Sequence, residues 1–167
     1  ILGSQTVFDN ALLGKGYGNG GAGVFQIMFD TAKHRQERAA FAEEVDEVLK
    51  FVGLEDVRNE LARNLPYGRQ RILEIARALV TKPKLLLLDE PAAGLNSAEI
   101  YTLMELIKKI NETGISVFVI EHRMELVGEL ADWVFVLNYG SKIAEGTFDE
   151  IRENPAVIEA YLGKGRD

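Results

Sequence analysis

A run of four leucines followed directly by two carboxylates is the feature that most constrains the fold of this chain. Leu85 to Leu88 precede Asp89 and Glu90. A segment that is apolar at every position indicates a strand covered on both faces, as in a parallel sheet between helices. The sequence therefore predicts an α/β fold. It also predicts that the two carboxylates lie at the C-terminal end of a buried strand, where such folds place their ligands.

Apolar spacing, together with glycine and proline stops, predicts the elements around this strand. The strand–helix–strand–helix–strand order from residue 84 onward predicts right-handed parallel crossovers. We expect residues 116–120 to form a second strand buried on both faces, Trp133 to lie in the core, Ser97 to cap a helix, and the glycine-rich stretch 14–23 to form a surface loop. Other predicted helices cover 7–13, 34–52, 69–81, 123–130, 147–152 and 155–162, and other predicted strands cover 84–89, 133–137 and 142–145. Residues 138–140 are predicted to form a turn after which 142–145 pairs back on 133–137.

Composition and charge exclude several classes of protein. A length of 167 residues suits one domain, and the net charge of −7 argues against a nucleic-acid partner, because phosphate contacts need clustered Lys and Arg. The absence of cysteine excludes disulfides and suits the cytoplasm. The apolar runs are too short to span a bilayer, and residues 1–4 do not resemble the start of a signal peptide. Since the chain lacks an initial Met, we expect it to be a piece of a longer polypeptide.

The residues on either side of the leucine strand indicate phosphoryl-transfer chemistry. Gly68 opens a helix, and a helix N-terminus binds anions, while Asp89 and Glu90 offer carboxylates for Mg²⁺ and for an attacking water. Taken alone, the acidic pair is more often a solvated strand end, but the combination favours the functional interpretation. No G-x-x-x-x-G-K-[ST] motif occurs in the 167 residues, and the stretch 14–23 is no substitute, because no Lys-Ser or Lys-Thr pair follows its glycines.

Three groups of residues carry a resemblance to a known family. The segments are Leu65-Pro66-Tyr67-Gly68, residues 91–96 (Pro-Ala-Ala-Gly-Leu-Asn) and residues 144–147 (Ala-Glu-Gly-Thr). They resemble the ATP-binding subunits of ABC transporters, and within these the subunits of branched-chain amino acid importers. The resemblance runs from about residue 6 to 164 and corresponds to the last two thirds of the family's domain, so the expected fold is a partial P-loop NTPase domain. It implies a helical signature subdomain over 6–82 and a mostly parallel sheet portion over 84–167, with the P-loop before the part that this chain covers.

The resemblance implies a nucleotide-binding role for a short turn before the predicted helix 69–81. The family's signature motif falls on this turn, and its helix start would contact the γ-phosphate of an ATP that the partner subunit holds. Pro66 and Tyr67 replace the family's usual serine and first glycine, which is typical of the branched-chain subgroup. The implied cofactor-binding residues of the motif are Leu65, Pro66, Tyr67, Gly68, Arg69 and Gln70.

The resemblance also implies roles for the residues after two of the strands. Asp89 matches the Walker B aspartate that holds Mg²⁺, and Glu90 matches the catalytic glutamate that polarises the attacking water. Residues 93–96 match the D-loop, of which Asn96 is an implied cofactor-binding residue. His122 matches the catalytic switch histidine that contacts the γ-phosphate. On its own, His122 would be an ordinary histidine at the edge of a loop.

The expected function is that of an ATPase that energises the import of branched-chain or related amino acids. The resemblance implies ATP and Mg²⁺ as cofactors, a second ATP-binding subunit and transmembrane permease subunits as partners, and a peripheral place on the cytoplasmic face of the inner membrane. Without a P-loop, this segment alone is expected to be inactive. A truncated, non-hydrolysing ABC-like interaction module stays open as the alternative. A soluble ABC ATPase of DNA repair or translation is disfavoured, since the chain shows neither long coiled coils nor tandem domains.

Overall fold

A computed structural model describes residues 1–18 and 32–162 and divides the chain into two units, Ile1–Phe118 and Val119–Asp167. This division falls within the second strand, whereas the sequence places the border between the helical and sheet portions near residue 83. The first unit contains helices α1 (Val7–Gly18), α2 (Ala32–Phe51), α3 (Tyr67–Leu79) and α4 (Ser97–Glu112), strand β1 (Leu85–Asp89), most of strand β2 (Ser116–Ile120), and 3₁₀ turns over Glu55–Val57 and Ala62–Asn64.

Helix α1 is longer than the sequence predicts and packs closely on α3. The predicted helix 7–13 continues to Gly18, so residues 14–18 of the predicted loop are helical, whereas 19–23 lie outside the described residues. Close packing explains the glycine at position 14, because a Cβ there would collide with the backbone carbonyl oxygen of Arg77 on α3. Asn10 is fully buried, and its side chain bonds both the N–H and the C=O of Leu2, which ties the first residues to the helix.

We predict that Gly14→Ala destabilises the protein by about 1–3 kcal/mol, the usual cost of overpacking. The added methyl group would force α1 away from α3, and the better helix propensity of alanine would offset only part of that cost. Equilibrium urea denaturation measures the change. Gly114→Ala is the comparison variant. Its φ of +89° is unfavourable for alanine, but no atom lies within 4 Å of the added Cβ, so this variant measures backbone strain without a packing clash. A Gly14→Ala protein as stable as the original would contradict the packing described.

The core of the first unit lies between helices, and its main helix begins with a cap that the sequence prediction misplaced. The predicted cap Ser97 is the first residue of α4, and Asn96 is the N-cap. The Asn96 side chain accepts hydrogen bonds from the amides of Ala98 and Glu99, and the Glu99 side chain accepts one from the amide of Asn96.

The buried apolar residues of the unit include Val7, Ala11, Val45, Leu49, Leu54, Leu73, Ala76, Leu79, Leu103, Ile107 and Ile110.

Strands β1 and β2 are neighbours in a parallel sheet, as the sequence predicts, but among the described residues each has an exposed face. Leu86 is 4% exposed, whereas Leu87 is 68% exposed, and Phe118 and Ile120 of β2 are also exposed. The prediction of burial on both faces was therefore wrong for both strands. An apolar run specifies a strand, but successive side chains point to opposite faces, and each face needs its own covering layer.

The second unit contains helix α5 (Met124–Leu130), strands β3 (Val134–Asn138) and β4 (Ser141–Gly146), and helices α6 (Phe148–Glu153) and α7 (Pro155–Leu162). β3 pairs antiparallel with β4, which confirms the prediction that residues 142–145 pair back on this strand. The described strands form two separate two-stranded sheets, β1 with β2 and β3 with β4, so the predicted parallel series is seen for β1 and β2 only. Tyr139 and Gly140 both have positive φ, as a two-residue hairpin turn with the twist of its strands requires. Trp133 is 53% exposed rather than in the core.

Two further observations complete the fold. Thr147 and Glu150 form a capping box at the start of α6, which is the same device that Asn96 and Glu99 form at α4. Within residues 1–18 and 32–162, none of the helices combines the length and the hydropathy needed to cross a bilayer.

Candidate functional site

The predicted signature turn, residues 65–70, forms the entrance to helix α3. The helix begins at Tyr67, two residues before the predicted start, and Pro66 is its N-cap. The Pro66 side chain has no acceptor that could cap the first amides of the helix. The Gln70 side chain turns back and donates a hydrogen bond to the carbonyl of Leu65 at 2.9 Å. The turn thus presents a helix N-terminus, with its positive dipole end, while its own side chains stabilise its shape.

An ion pair fixes the charged residue of this turn. Arg69 Nη1 lies 2.8 Å from Asp56 Oδ2, and Asp56 belongs to the 3₁₀ turn over Glu55–Val57. The hydrogen bond from Arg69 lowers the pKa of the Asp56 carboxyl below its usual value. Asp56 therefore stays charged and compensates the unfavourable placement of an arginine in the first turn of a helix.

Gly68 lies directly against helix α4. A Cβ on this buried glycine would be 2.6 Å from Oε1 of Glu99 and 2.8 Å from its Cδ. The other carboxylate oxygen of Glu99 accepts the amide of Asn96 at 3.0 Å. The signature turn and the predicted D-loop therefore meet through one glutamate side chain.

Tyr67 makes a second contact between the same two segments. A Cβ on Gly94 would be 3.1 Å from Cε1 of Tyr67, and Gly94 has a φ of +77°, which favours glycine. The guanidinium of Arg71 lies 5.1 Å from the centre of the Tyr67 ring and also bonds Glu74. The hydrogen bond with Glu74 raises the pKa of Arg71, and the neighbouring Tyr67 adds to the rise.

The acidic pair lies at the end of β1, as predicted. Asp89 and Glu90 are both exposed, and Glu90 has a φ of +43°. Non-glycine residues adopt this left-handed conformation at a cost, and such strain is concentrated at functional sites. The carbonyl of Glu90 accepts the amide of Ala93 at 3.0 Å, which closes the turn toward residues 93–96. Asp89 lines a cavity of about 200 Å³ together with residues of α3, including Arg71 and Glu74.

The residues fit a magnesium ion only if most of its ligands come from elsewhere. Within the described parts of the chain, three or more His, Asp or Glu side chains nowhere gather as a metal site would require. Mg²⁺ is commonly bound by one or two carboxylates, with phosphate oxygens and waters completing its octahedron. An exposed Asp89 at a strand end has the chemistry of such a ligand.

His122 lies in the second unit, between the end of β2 and the start of α5. Its side chain is exposed, and its backbone amide donates a hydrogen bond to the Glu121 side chain at 3.3 Å. The first unit thus brings together the signature turn, residues 91–96 and the acidic pair. His122 belongs to the other unit of the chain.

Sequence reasoning missed several residues of this site. Glu99 was not singled out, although an Asn followed by a Glu three residues later is the pattern of a capping box and could have revealed it. The contact of Tyr67 with Gly94 joins residues 27 positions apart in the sequence, and the local pattern holds no signal for it. The strained φ of Glu90 cannot be read from residue type either.

The fold is that of an ATP-binding cassette. The structure matches a nucleotide-free ATP-binding cassette from an ABC transporter with a TM-score of 0.79 and 28% identity, over 98% of this chain and 65% of the other. A crystal structure of an ATP-binding cassette in its ADP conformation matches with a TM-score of 0.78 and 26% identity, over the same shares of the two chains.

Sequence comparison gives the family directly. A family model described as ABC transporter matches residues 2–93, more than half of the chain, and one described as Branched-chain amino acid ATP-binding cassette transporter matches residues 141–167. This chain belongs to the ABC transporter ATP-binding family, with homology to the LivG type of branched-chain amino acid transport.

The relatives include transport proteins from several bacteria. The chain is 42% identical to the high-affinity branched-chain amino acid transport ATP-binding protein LivG of Salmonella typhimurium and 41% identical to LivG of Escherichia coli, each over 96% of this chain. It is 44% identical to BraF of Pseudomonas aeruginosa over 82% of this chain and 54% of that protein. The chain spans 63% of the length of the LivG relatives.

Proposed function

We propose that this chain is part of the ATP-binding subunit of an ABC importer for branched-chain or related amino acids, and that the subunit hydrolyses ATP with Mg²⁺ at a dimer interface. The observation that carries the proposal is the contact between the turn 65–70 and residues 89–96 within one unit. The names of the LivG and BraF relatives supply the transport class. The chain would be the C-terminal two thirds of one ABC ATPase domain.

The proposed chemistry assigns a task to each part of the site. The open N-terminus of α3 at Gly68 would stabilise negative charge on the phosphoryl group of the ATP that the second subunit holds, since its amides and dipole favour an anion. The Glu90 carboxylate accepts a proton from the attacking water, and its strained backbone fixes the direction in which the side chain leaves the strand. Asp89 would hold Mg²⁺, which when bound neutralises charge on the phosphates. His122 would donate a hydrogen bond to the γ-phosphate.

The dimer is proposed because the signature turn of this family contacts the ATP that the partner subunit holds. The helix start of one subunit would complete the phosphate site of a second ATP-binding subunit, either an identical or a related chain. Transmembrane permease subunits would bind the helical part of the domain, and the protein would lie peripherally on the cytoplasmic face of the inner membrane.

Uptake of radiolabelled leucine tests the transport proposal. Deletion of the gene from its host should lower uptake at least tenfold, and the full-length gene product should restore it. A Glu90→Gln gene product should not restore uptake, because the import step needs hydrolysis. Unchanged uptake in the deletion strain would exclude branched-chain amino acids as the substrate, and the same strain can then be assayed with other amino acids and with amides.

The second candidate is a non-hydrolysing ABC-like interaction module. The 167 residues contain no P-loop motif, and a protein without one lacks the backbone cradle and lysine that hold the β- and γ-phosphates. The two candidates predict different results for the full-length gene product. The module would release no phosphate from Mg²⁺-ATP, whereas the transport ATPase would release it at a rate that depends on Glu90.

A further inference from the structure

Glu99 joins two segments that the proposed function uses separately. One carboxylate oxygen accepts the backbone amide of Asn96 at 3.0 Å, and the side chain of Asn96 in turn accepts the amides of Ala98 and Glu99. The other oxygen lies 2.6 Å from the position that a Cβ of Gly68 would occupy. The Glu99 side chain therefore bonds the last residue of the predicted D-loop, takes part in the capping box of helix α4 and occupies the space beside Gly68 of the signature turn.

The contact between Tyr67 and Gly94 lies a few residues from this glutamate and also holds the loop 91–96 against the signature turn. Gly94 is held at a φ of +77° with the Tyr67 ring against it, so the middle of the loop 91–96 has little room to move. The family's usual glycine at position 67 would have no ring to make this contact. The two contacts, Tyr67 with Gly94 and Gly68 with Glu99, fix the loop to consecutive residues of the turn.

We propose that Glu99 is a positioning residue, which holds the loop 91–96 against the turn 65–70 and so sets the distance between the two phosphate-site segments of one subunit. The inference rests on the proposed function, since it assigns those segments to an ATP site. Glu99 accepts the amide of Asn96 and lies against Gly68. Its effect on hydrolysis comes through the position of Asn96 and of the backbone at Gly68.

The second unit offers a matched control for this role. Glu150 forms the same capping box with Thr147, and it lies against Gly146 as Glu99 lies against Gly68, with Oε2 2.6 Å from a Cβ built there. Glu150→Ala therefore removes the same cap chemistry and the same glycine contact at a distance in sequence from the site. It separates a general loss of helix capping from a change in the loop 91–96.

The experiment compares Glu99→Ala, Glu99→Gln, Tyr67→Gly and Glu150→Ala in the full-length gene product. Amide hydrogen exchange of residues 92–96, the loop residues that carry an amide hydrogen, should rise roughly five- to thirtyfold in Glu99→Ala, the range expected for a lost cap. The kcat for Mg²⁺-ATP should fall roughly tenfold or more, while KM changes by less than about twofold, because misplacement of site groups acts on the reaction step. Tyr67→Gly should also speed exchange in the loop.

Glu99→Gln should restore much of the exchange protection, because its amide oxygen still accepts from Asn96, and Glu150→Ala should leave exchange in 91–96 and kcat unchanged. The inference is overturned if Glu99→Ala exchanges at the original rate in this loop, or if exchange rises while kcat does not fall. If the unaltered protein releases no phosphate from ATP, the proposed function fails. The exchange comparison still decides whether Glu99 holds the loop.

Discussion

Glu90→Gln in the full-length gene product is expected to reduce ATP hydrolysis by roughly 10²- to 10⁴-fold, the share of a rate that a general base supplies. The amide has the shape of the carboxylate but cannot accept the proton of an attacking water. Affinity for Mg²⁺-ATP should stay within about twofold, because the substitution leaves the proposed phosphate contact of the signature turn and the proposed Mg²⁺ ligand Asp89 unchanged. Phosphate release and equilibrium nucleotide binding, measured on the same preparation, check the two halves of this expectation.

The backbone of Glu90 supplies a control for folding. A left-handed residue costs roughly 1–2 kcal/mol unless it is glycine, so Glu90→Gly should be inactive without loss of stability. Glu112→Gln, at the exposed end of α4, has the same change of charge at a distance from the site in sequence and should keep full activity. Steady hydrolysis by Glu90→Gln would show that another residue activates the water.

The sequence predicted those parts of the fold that depend on local pattern. The helix spacing, the leucine strand and the hairpin turn after β3 were predicted to within a few residues, because each is encoded by neighbouring residues. The burial of β1 and β2 was not predicted correctly. The exposure of the Leu87 side chain depends on what covers that face of the sheet rather than on the strand itself.

The candidate site was predictable to a similar extent. Motif resemblance indicated the turn 65–70 and the acidic pair, and the structure places these in one unit with the loop 91–96. It could not indicate how they are joined, because Tyr67 meets Gly94 and Gly68 meets Glu99 only after α3, β1 and the loop have folded. Residue type alone also gave the wrong cap, since Ser97 and Asn96 are both good N-caps and the glutamate three residues after Asn96 decides between them.

The 167-residue chain by itself is expected to bind Mg²⁺-ATP weakly, with a Kd above roughly 1 mM. The described residues offer one open helix start, at which an anion can bind, and a strand-end carboxylate as a possible Mg²⁺ ligand, and no lysine follows a glycine-rich loop in the P-loop pattern. The net charge of −7 adds repulsion for a polyanion. Isothermal titration with Mg²⁺-ATP measures the affinity, and a cooperative thermal transition of the same sample shows that the chain is folded when it is titrated.

Asp89→Ala is the informative control, and the two results decide whether these 167 residues contain a phosphate cradle. If the chain binds no ATP and neither does Asp89→Ala, they contain none, and activity must be measured on the full-length gene product. Tight binding that Asp89→Ala abolishes would contradict the expectation and point to a cradle within the chain. Residues 14–18 could not form it without unwinding, because they belong to helix α1, so substitutions at Gly20, Gly21 and Gly23 would be the next variants to titrate.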